Sequence, residues 1–105
     1  METAKNTYYE FNFEDGGSVK MSLAFYLLYQ LKAKKKAVYD EYNRIMTKGM
    51  NEELDMISVL YAAYLCGNIA DVAECMSFED FMMRCGSDRF AIKKAVEVLT
   101  KAKKQ

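Results

Sequence analysis

Glycine placement constrains this fold more than any other feature, because the 105-residue chain contains no proline and only five glycines. Glycine and proline are the residues that most often interrupt helices and strands. Gly16 and Gly17 lie together near the start, and Gly49, Gly67 and Gly86 divide the remainder. We therefore expect a short hairpin followed by helices that end at single glycines.

The first segment, residues 6–23, is predicted to be a β-hairpin. Its first half, TYYEFNF, alternates in part and is rich in aromatics, and Val19, Met21 and Leu23 fall on one face of the second half. Asp15-Gly16 is a strong hairpin signal, because both central residues of a type I′ turn need a positive φ that Asp and Gly accept at low cost. A lone hairpin is marginal in water, so its apolar face must pack on the rest of the chain.

Residues 24–105 are predicted to form the helical part, with about four helices. No glycine interrupts residues 24–48, where apolar side chains recur at three, four and seven residues. This pattern favours one long helix, or two helices joined near the lysines at 34–36. The residues of the apolar stripe are Leu27, Leu31, Val38, Tyr42 and Ile45.

Three further segments complete a single α+β domain over residues 1–105. Asn51 is the predicted N-cap of a helix that ends near Gly67, and residues 69–76 are either a short helical turn or a loop. Ser77 is the predicted N-cap of a short helix that ends at Gly86. A last helix follows, with its predicted apolar side made of Phe90, Ala91, Ala95, Val98 and Ala102.

The residue types present restrict the chemistry. The chain has no histidine, so it lacks the usual general base and the commonest metal ligand. Cys66, Cys75 and Cys85 are spaced nine and ten residues apart, which fits neither a disulfide framework nor the close cysteine pairs of a zinc site. We therefore expect a protein that is not an enzyme, with no catalytic residue, no cofactor and no metal.

The charges leave two functional classes open. Fifteen basic and fifteen acidic side chains cancel, so no overall field attracts nucleic acid, and we expect none to bind. A small regulatory or nucleic-acid-binding domain remains the alternative, because lysines cluster locally. The first residues, METAKNTYYE, are polar and acidic, so we expect no secretory signal, and the longest uncharged segment, residues 56–70, is shorter than the ~20 residues that span a bilayer. We expect a cytoplasmic protein that does not bind membranes. The clustered lysines are Lys32, Lys34, Lys35 and Lys36, and Lys93, Lys94, Lys101, Lys103 and Lys104.

Soft apolar side chains are more numerous than one small core readily buries, and they include eight methionines. Such side chains adapt to irregular partners and can line a groove for another chain's helix. Filling the core is the competing interpretation for each of them. The candidate partner-binding residues are Tyr61, Tyr64, Leu65, Phe78, Phe81 and Met82.

The order of these segments resembles the tail assembly chaperones of long-tailed, siphovirus-type phages and prophages of Gram-positive bacteria. The resemblance rests on a strand pair, a helix, an acid-led helix that ends in LYAAYLCGN, the segment MSFEDFMMRCGSD and a closing helix. It implies a protein that coats the tape measure protein in the bacterial cytoplasm and keeps its apolar stripes from aggregating before the tail tube forms. It also allows contacts with other tail proteins and self-association.

Overall fold

The computed structural model describes residues 8–102 as a two-stranded sheet and six helices. The predicted α+β class with an N-terminal hairpin is confirmed, whereas the prediction of about four helices is wrong. Residues 6 and 7 of the predicted hairpin and residues 103–105 of the predicted helical part lie outside the described range. The elements are β1 (Tyr9–Asn12), β2 (Ser18–Met21), α1 (Phe25–Lys34), α2 (Lys36–Lys48), α3 (Leu54–Gly67), a 3-10 helix (Ile69–Glu74), α4 (Phe78–Cys85) and α5 (Arg89–Ala102).

The additional helices arise at two places. At Lys35 the backbone leaves the helical region, with φ of −140° and ψ of 70°. Residues 24–48 therefore form two helices joined at the lysines, which is the second of the two predicted arrangements. Lysines three and four residues apart repel one another on a helix, which favours a break at this point. The second addition is the 3-10 helix, which resolves the helical turn or loop expected at residues 69–76.

The two strands pair antiparallel, with Tyr9 opposite Met21 and Asn12 opposite Ser18. On the predicted inner face, Met21 and Leu23 are buried and Val19 is half-buried. The hairpin therefore packs one face on the helices, as the marginal stability of an isolated hairpin requires.

The hairpin turn is a three-residue loop rather than the predicted type I′ turn at Asp15-Gly16. The Phe13 amide donates to the Gly17 carbonyl at 2.7 Å, and the Gly16 amide donates to the Phe13 carbonyl at 3.1 Å. Gly16 has a φ of 98°, and no other residue type between 8 and 102 has a positive φ. Asp15 therefore does not adopt the left-handed conformation of a type I′ turn, and the loop is a type I turn followed by a left-handed glycine.

The hairpin tip is attached to α4 by Arg84. Its guanidinium donates to both carboxylate oxygens of Asp15, at 3.0 and 3.1 Å, and lies 4.2 Å from the centre of the Phe13 ring. The hydrogen bonds from Arg84 hold the pKa of Asp15 below its usual value.

Helix α3 lies at the centre of the domain and packs against β2, α1, α2, the 3-10 helix, α4 and α5. A helix that is apolar on all sides needs cover on all sides. In α3, every residue from Val59 to Cys66 is buried. The surrounding elements therefore supply one continuous core.

Contact between α3 and β2 is unusually close at Gly67. A Cβ atom at this position would lie 2.8 Å from the carbonyl carbon of Lys20 and 3.0 Å from the Cα of Met21. Asn68 reinforces the contact, because its side-chain amide donates to the Lys20 carbonyl at 3.2 Å and to the Tyr64 carbonyl at 2.9 Å. Gly67 is thus required by packing rather than by a positive φ.

The start of α3 also differs from the prediction that Asn51 caps it. The helix begins at Leu54, and the buried carboxylate of Asp55 accepts hydrogen bonds from the Asn51 and Glu52 amides at 2.8 and 3.4 Å. Arg44 of α2 lies 3.3 Å from the same carboxylate. The backbone hydrogen bond from Asn51 is the main reason that the pKa of Asp55 is lowered.

The buried face of α5 is not the predicted one. Phe90 and Val98 are exposed, although the sequence predicts both on the apolar side. Of the residues predicted for that side, only Ala95 is fully buried. The side chain of Ala102 lies outside the description. Two apolar stripes overlap on this helix, and the one with the larger aliphatic side chains is covered. The buried residues are Ile92, Ala95, Val96 and Leu99.

We predict that Gly67→Ala destabilises the fold by about 1–3 kcal/mol, because the new methyl group overlaps backbone atoms that cannot move aside. This cost outweighs the roughly 1 kcal/mol by which alanine favours a helix over glycine. Gly17→Ala is the control, because its Cβ would meet side-chain atoms of Arg84 and Asp15 rather than backbone, and we expect it to cost less than about 1 kcal/mol. Urea unfolding measures the change in the free energy of unfolding for both variants. Equal or greater stability of Gly67→Ala would contradict the assigned packing.

We also predict that stability falls as the pH rises from about 9 to about 12. Burial raises the pKa of the Cys85 thiol from 9.0 to about 12 and that of the Tyr42 hydroxyl from 10.0 to about 12. In this window the unfolded chain releases protons that the folded protein retains, so folding becomes less favourable. Unfolding at pH 8, 9 and 10 should show a smaller decline in Cys85→Ala than in the parent. Identical declines would show that Cys85 does not contribute.

Candidate functional site

Four of the six candidate binding residues lie in the core. Tyr61, Tyr64, Leu65 and Phe81 are buried, and the largest exposed fraction among them is 9%, at Tyr61. The other two candidates, Phe78 and Met82, are half-buried. Whether any of the six binds a partner stays a prediction, but four are covered by the protein itself.

Tyr61 and Tyr64 hold the segment that leads into α4. The Tyr61 hydroxyl donates to the Met76 carbonyl at 2.7 Å, and the Met76 amide donates to the Tyr64 hydroxyl at 3.0 Å. Both tyrosine rings also pack on Phe81, with ring centres 5.4 and 5.2 Å away. The uncharged segment LYAAYLCGN is therefore a core helix whose polar tips bind backbone.

Some of the candidates reach shallow apolar grooves at the surface. Tyr61 and Phe78 line a groove of about 300 Å³ together with Val38 of α2. Met82 lines another, of about 250 Å³, together with Leu54 and Ile92 among others. These grooves are the places where the predicted residues could still contact another molecule.

The expected surplus of apolar side chains lies mainly elsewhere, on α1. Phe25, Tyr26 and Tyr29 are 74%, 67% and 72% exposed. Residues three and four apart share a helix face, so these three rings form one surface, which we call the α1 aromatic face. Leu27, Leu28 and Leu31 on the other side of the helix are buried.

The α1 aromatic face lies on a helix that is similar to α3 in its apolar character but has fewer neighbours. The first seven residues of α1, FYLLYQL, carry no charge, so the helix is apolar on nearly all sides in the same way as α3. Neighbouring elements surround α3, whereas among the described residues α1 packs mainly against α2, α3 and the 3-10 helix. Large apolar patches left exposed on small proteins commonly mark interaction sites.

A groove between α1 and α2 adjoins the α1 aromatic face. It encloses about 390 Å³, and the Lys32 ammonium lies over the Tyr39 ring at its edge, 5.5 Å from the ring centre. Apolar and aromatic atoms form most of its wall. We call it the α1–α2 groove, and its lining is Phe25, Leu28, Tyr29, Lys32, Tyr39, Tyr42, Asn43 and Met46.

Phe25, Tyr26 and Tyr29 are not among the binding residues predicted from the sequence. A signal was present, because these residues lie opposite the predicted stripe of Leu27 and Leu31 at helical spacing. With leucines on one side and three aromatic rings on the other, the first two turns of the helix have no charged face, and that pattern indicates a second covered surface.

The lysine clusters lie on exposed surfaces. Lys36 forms an ion pair with Asp40 at 2.8 Å, and the other lysines of this cluster surround the junction between α1 and α2. Lys93, Lys94 and Lys101 are exposed on α5, whereas Lys103 and Lys104 lie outside the described residues. The lysines are thus divided among α1, α2 and α5 rather than gathered in one stripe.

Neither a metal cluster nor a membrane span is found in the described part of the chain. Between residues 8 and 102, no three Cys, Asp or Glu side chains are placed to hold a metal ion. Over the same range, no helix has both the length and the apolar character needed to cross a bilayer.

Comparisons with protein-family models, with curated proteins and with solved structures found no match. The resemblance to tail assembly chaperones therefore stays a hypothesis based on the order of the segments. The α1 aromatic face and the α1–α2 groove are therefore the observations on which a function can be proposed.

We predict that Tyr61→Phe and Tyr64→Phe each destabilise the fold by about 1 kcal/mol, because each removes a hydrogen bond to the Met76 backbone. Tyr29→Phe is the matched control, since its ring is exposed, and we expect a change below about 0.5 kcal/mol. Thermal and urea unfolding measure the differences. If both core variants match the parent, the two hydroxyls do not anchor Met76.

Proposed function

We propose that this protein is a non-enzymatic tail assembly chaperone that binds the tape measure protein through the α1 aromatic face and the α1–α2 groove. The observation that carries the proposal is the exposure of Phe25, Tyr26 and Tyr29 on one side of a helix whose first two turns carry no charged residue. A soluble partner that covered these rings would remove a large apolar surface from water, which favours association.

The shape and chemistry of the site support a helical partner. Amphipathic helices bind in apolar grooves through side chains spaced three, four and seven residues apart. The α1–α2 groove offers such a surface, with aromatic walls and the flexible thioether of Met46. A methionine adapts to side chains of different shape, which suits a chaperone that binds many stripes along one long helix.

The identity of the partner comes from the resemblance to tail assembly chaperones. That resemblance places the binding event in the cytoplasm of the bacterial host, before the tail tube forms around the tape measure protein. Contacts with other tail proteins and self-association remain part of the proposal, and the grooves at Tyr61, Phe78 and Met82 are further surfaces for them.

Co-expression with a fragment of the tape measure protein from the same phage or prophage tests the proposal. We expect the fragment to become soluble and to copurify with the protein. Phe25→Ser combined with Tyr29→Ser should lower the soluble yield several-fold, because it removes two rings from the α1 aromatic face. A gene neighbourhood without a long helical tape measure frame would count against the proposal.

Phe90→Ser is the matched control, because Phe90 is 79% exposed but lies on α5, away from the proposed surface. Exposed substitutions usually change stability by less than about 0.5 kcal/mol, so thermal melts should show all variants folded. The proposal fails if the fragment stays insoluble, or if the α1 variant rescues it as well as the parent does.

A nucleic-acid-binding domain remains the alternative function. Its test is a titration with generic DNA and RNA at several salt concentrations, since phosphate contacts give a steep salt dependence. Tight, salt-sensitive binding that Lys93→Gln and Lys94→Gln weaken would favour the alternative over the chaperone.

A further inference from the structure

Charge is distributed unevenly around the α1 aromatic face. Although the whole chain is neutral, no acidic residue lies between Asp15 and Asp40, whereas five lysines do. Four of these lysines, at positions 32, 34, 35 and 36, follow directly after the aromatic residues of α1. The apolar surface therefore continues into a cationic one.

Most of these lysines form no ion pair with the described residues. Lys36 is paired with Asp40, but within residues 8–102 no ion pair involves Lys32, Lys34 or Lys35. Lys32 instead lies over the Tyr39 ring, and its position in the α1–α2 groove brings its charge to the binding surface. A partner can therefore supply the missing negative charge.

Lys32 lies on the same side of α1 as the aromatic rings. It follows Tyr29 by three residues and Phe25 by seven, and these spacings share one helix face. The separation along the helix axis from Phe25 to Lys32 is about 10 Å, or two turns. A partner that binds this surface must therefore present an apolar stretch of about two turns followed by a group that pairs with a cation.

The α1 helix of a second copy of this chain does not match that surface. Neither α1 nor the lining of the α1–α2 groove contains an acidic residue. Two α1 helices packed antiparallel would place Lys32 of each copy near the positive N-terminal end of the other helix, which is unfavourable. Self-association through other surfaces is not affected.

A nucleic acid matches the surface less well than a helix does. Single strands bind where several cations follow the backbone beside stacking rings. In the α1–α2 groove Lys32 is the only cation among the described lining residues, and the aliphatic side chains of Leu28 and Met46 contribute to the wall. Alkyl groups of this kind suit the apolar stripe of a helix.

We infer that the α1 aromatic face binds an amphipathic helix whose apolar stripe, about two turns long, is followed by acidic residues that pair with Lys32 and its neighbours. This inference rests on the proposed function and adds the chemistry of the bound segment. It predicts that those parts of the tape measure protein that bind combine apolar stripes with acidic residues at one end.

Three peptides of about 20 residues, long enough to form a helix in part, test the inference. They share one apolar stripe and differ only at its end, which carries glutamate, glutamine or lysine. Fluorescence anisotropy should show the glutamate peptide binding about three- to tenfold more tightly than the glutamine peptide at low salt. The lysine peptide should bind most weakly, and added salt should reduce the difference.

Variants of the protein identify the charges involved. Lys32→Gln combined with Lys35→Gln should remove most of the preference for glutamate, whereas Lys93→Gln combined with Lys94→Gln, on α5, should leave it unchanged. Phe25→Ser combined with Tyr29→Ser should weaken the binding of all three peptides. The inference is overturned if the three peptides bind equally, if none binds, or if a single-stranded oligonucleotide binds more tightly than the glutamate peptide.

These outcomes are distinct from a failure of the proposed function. If the tape measure fragment copurifies and needs the aromatic rings but is insensitive to salt and to the Lys32 and Lys35 substitutions, the chaperone proposal stands and this inference fails. If acidic peptides bind as expected but the fragment is not made soluble, the surface recognises acidic helices of another protein.

Discussion

Helix α3 is apolar around nearly its whole circumference, so the other elements have to be arranged to cover it. Its close contact with β2 at Gly67 brings the hairpin onto the helix. Tyr61 and Tyr64 then bind both backbone groups of Met76, which fixes the approach to α4. Arg84 of α4 holds the hairpin tip through Asp15, so the elements around α3 are also connected to one another.

The rule that an apolar helix needs cover on all sides also makes α1 a candidate binding element. Most of α3 and the first two turns of α1 lack a charged face, but the rings of Phe25, Tyr26 and Tyr29 on α1 are exposed to solvent. Within one small domain, α3 shows how such a helix is covered when its neighbours belong to the same chain. We interpret the uncovered side of α1 as a surface that another chain covers, with the lysines at its end determining which chain.

Local patterns in the sequence were sufficient for the hairpin, for the α+β class and for the stripe of Leu27, Leu31 and Ile45, because these depend on neighbours a few residues apart. They were not sufficient where contacts between residues far apart in the sequence determine which side chains are buried. On α5 two apolar stripes overlap, and packing against α3 and β1 buries Ile92 and Leu99 rather than Phe90. The role of Tyr61 could not be deduced either, because its hydroxyl binds a carbonyl 15 residues away. For the candidate surface, the spacing of aromatic residues on α1 was informative, but only the structure gives their exposure.

Hydroxyl-radical footprinting of the protein alone and in complex with a tape measure fragment tests the central claim most directly, because it measures the exposure of individual aromatic side chains. Our account predicts that Phe25, Tyr26 and Tyr29 lose most of their reactivity in the complex, whereas Phe90 keeps its own. Unchanged reactivity on α1, with protection of Phe90 or of no aromatic residue, would contradict it.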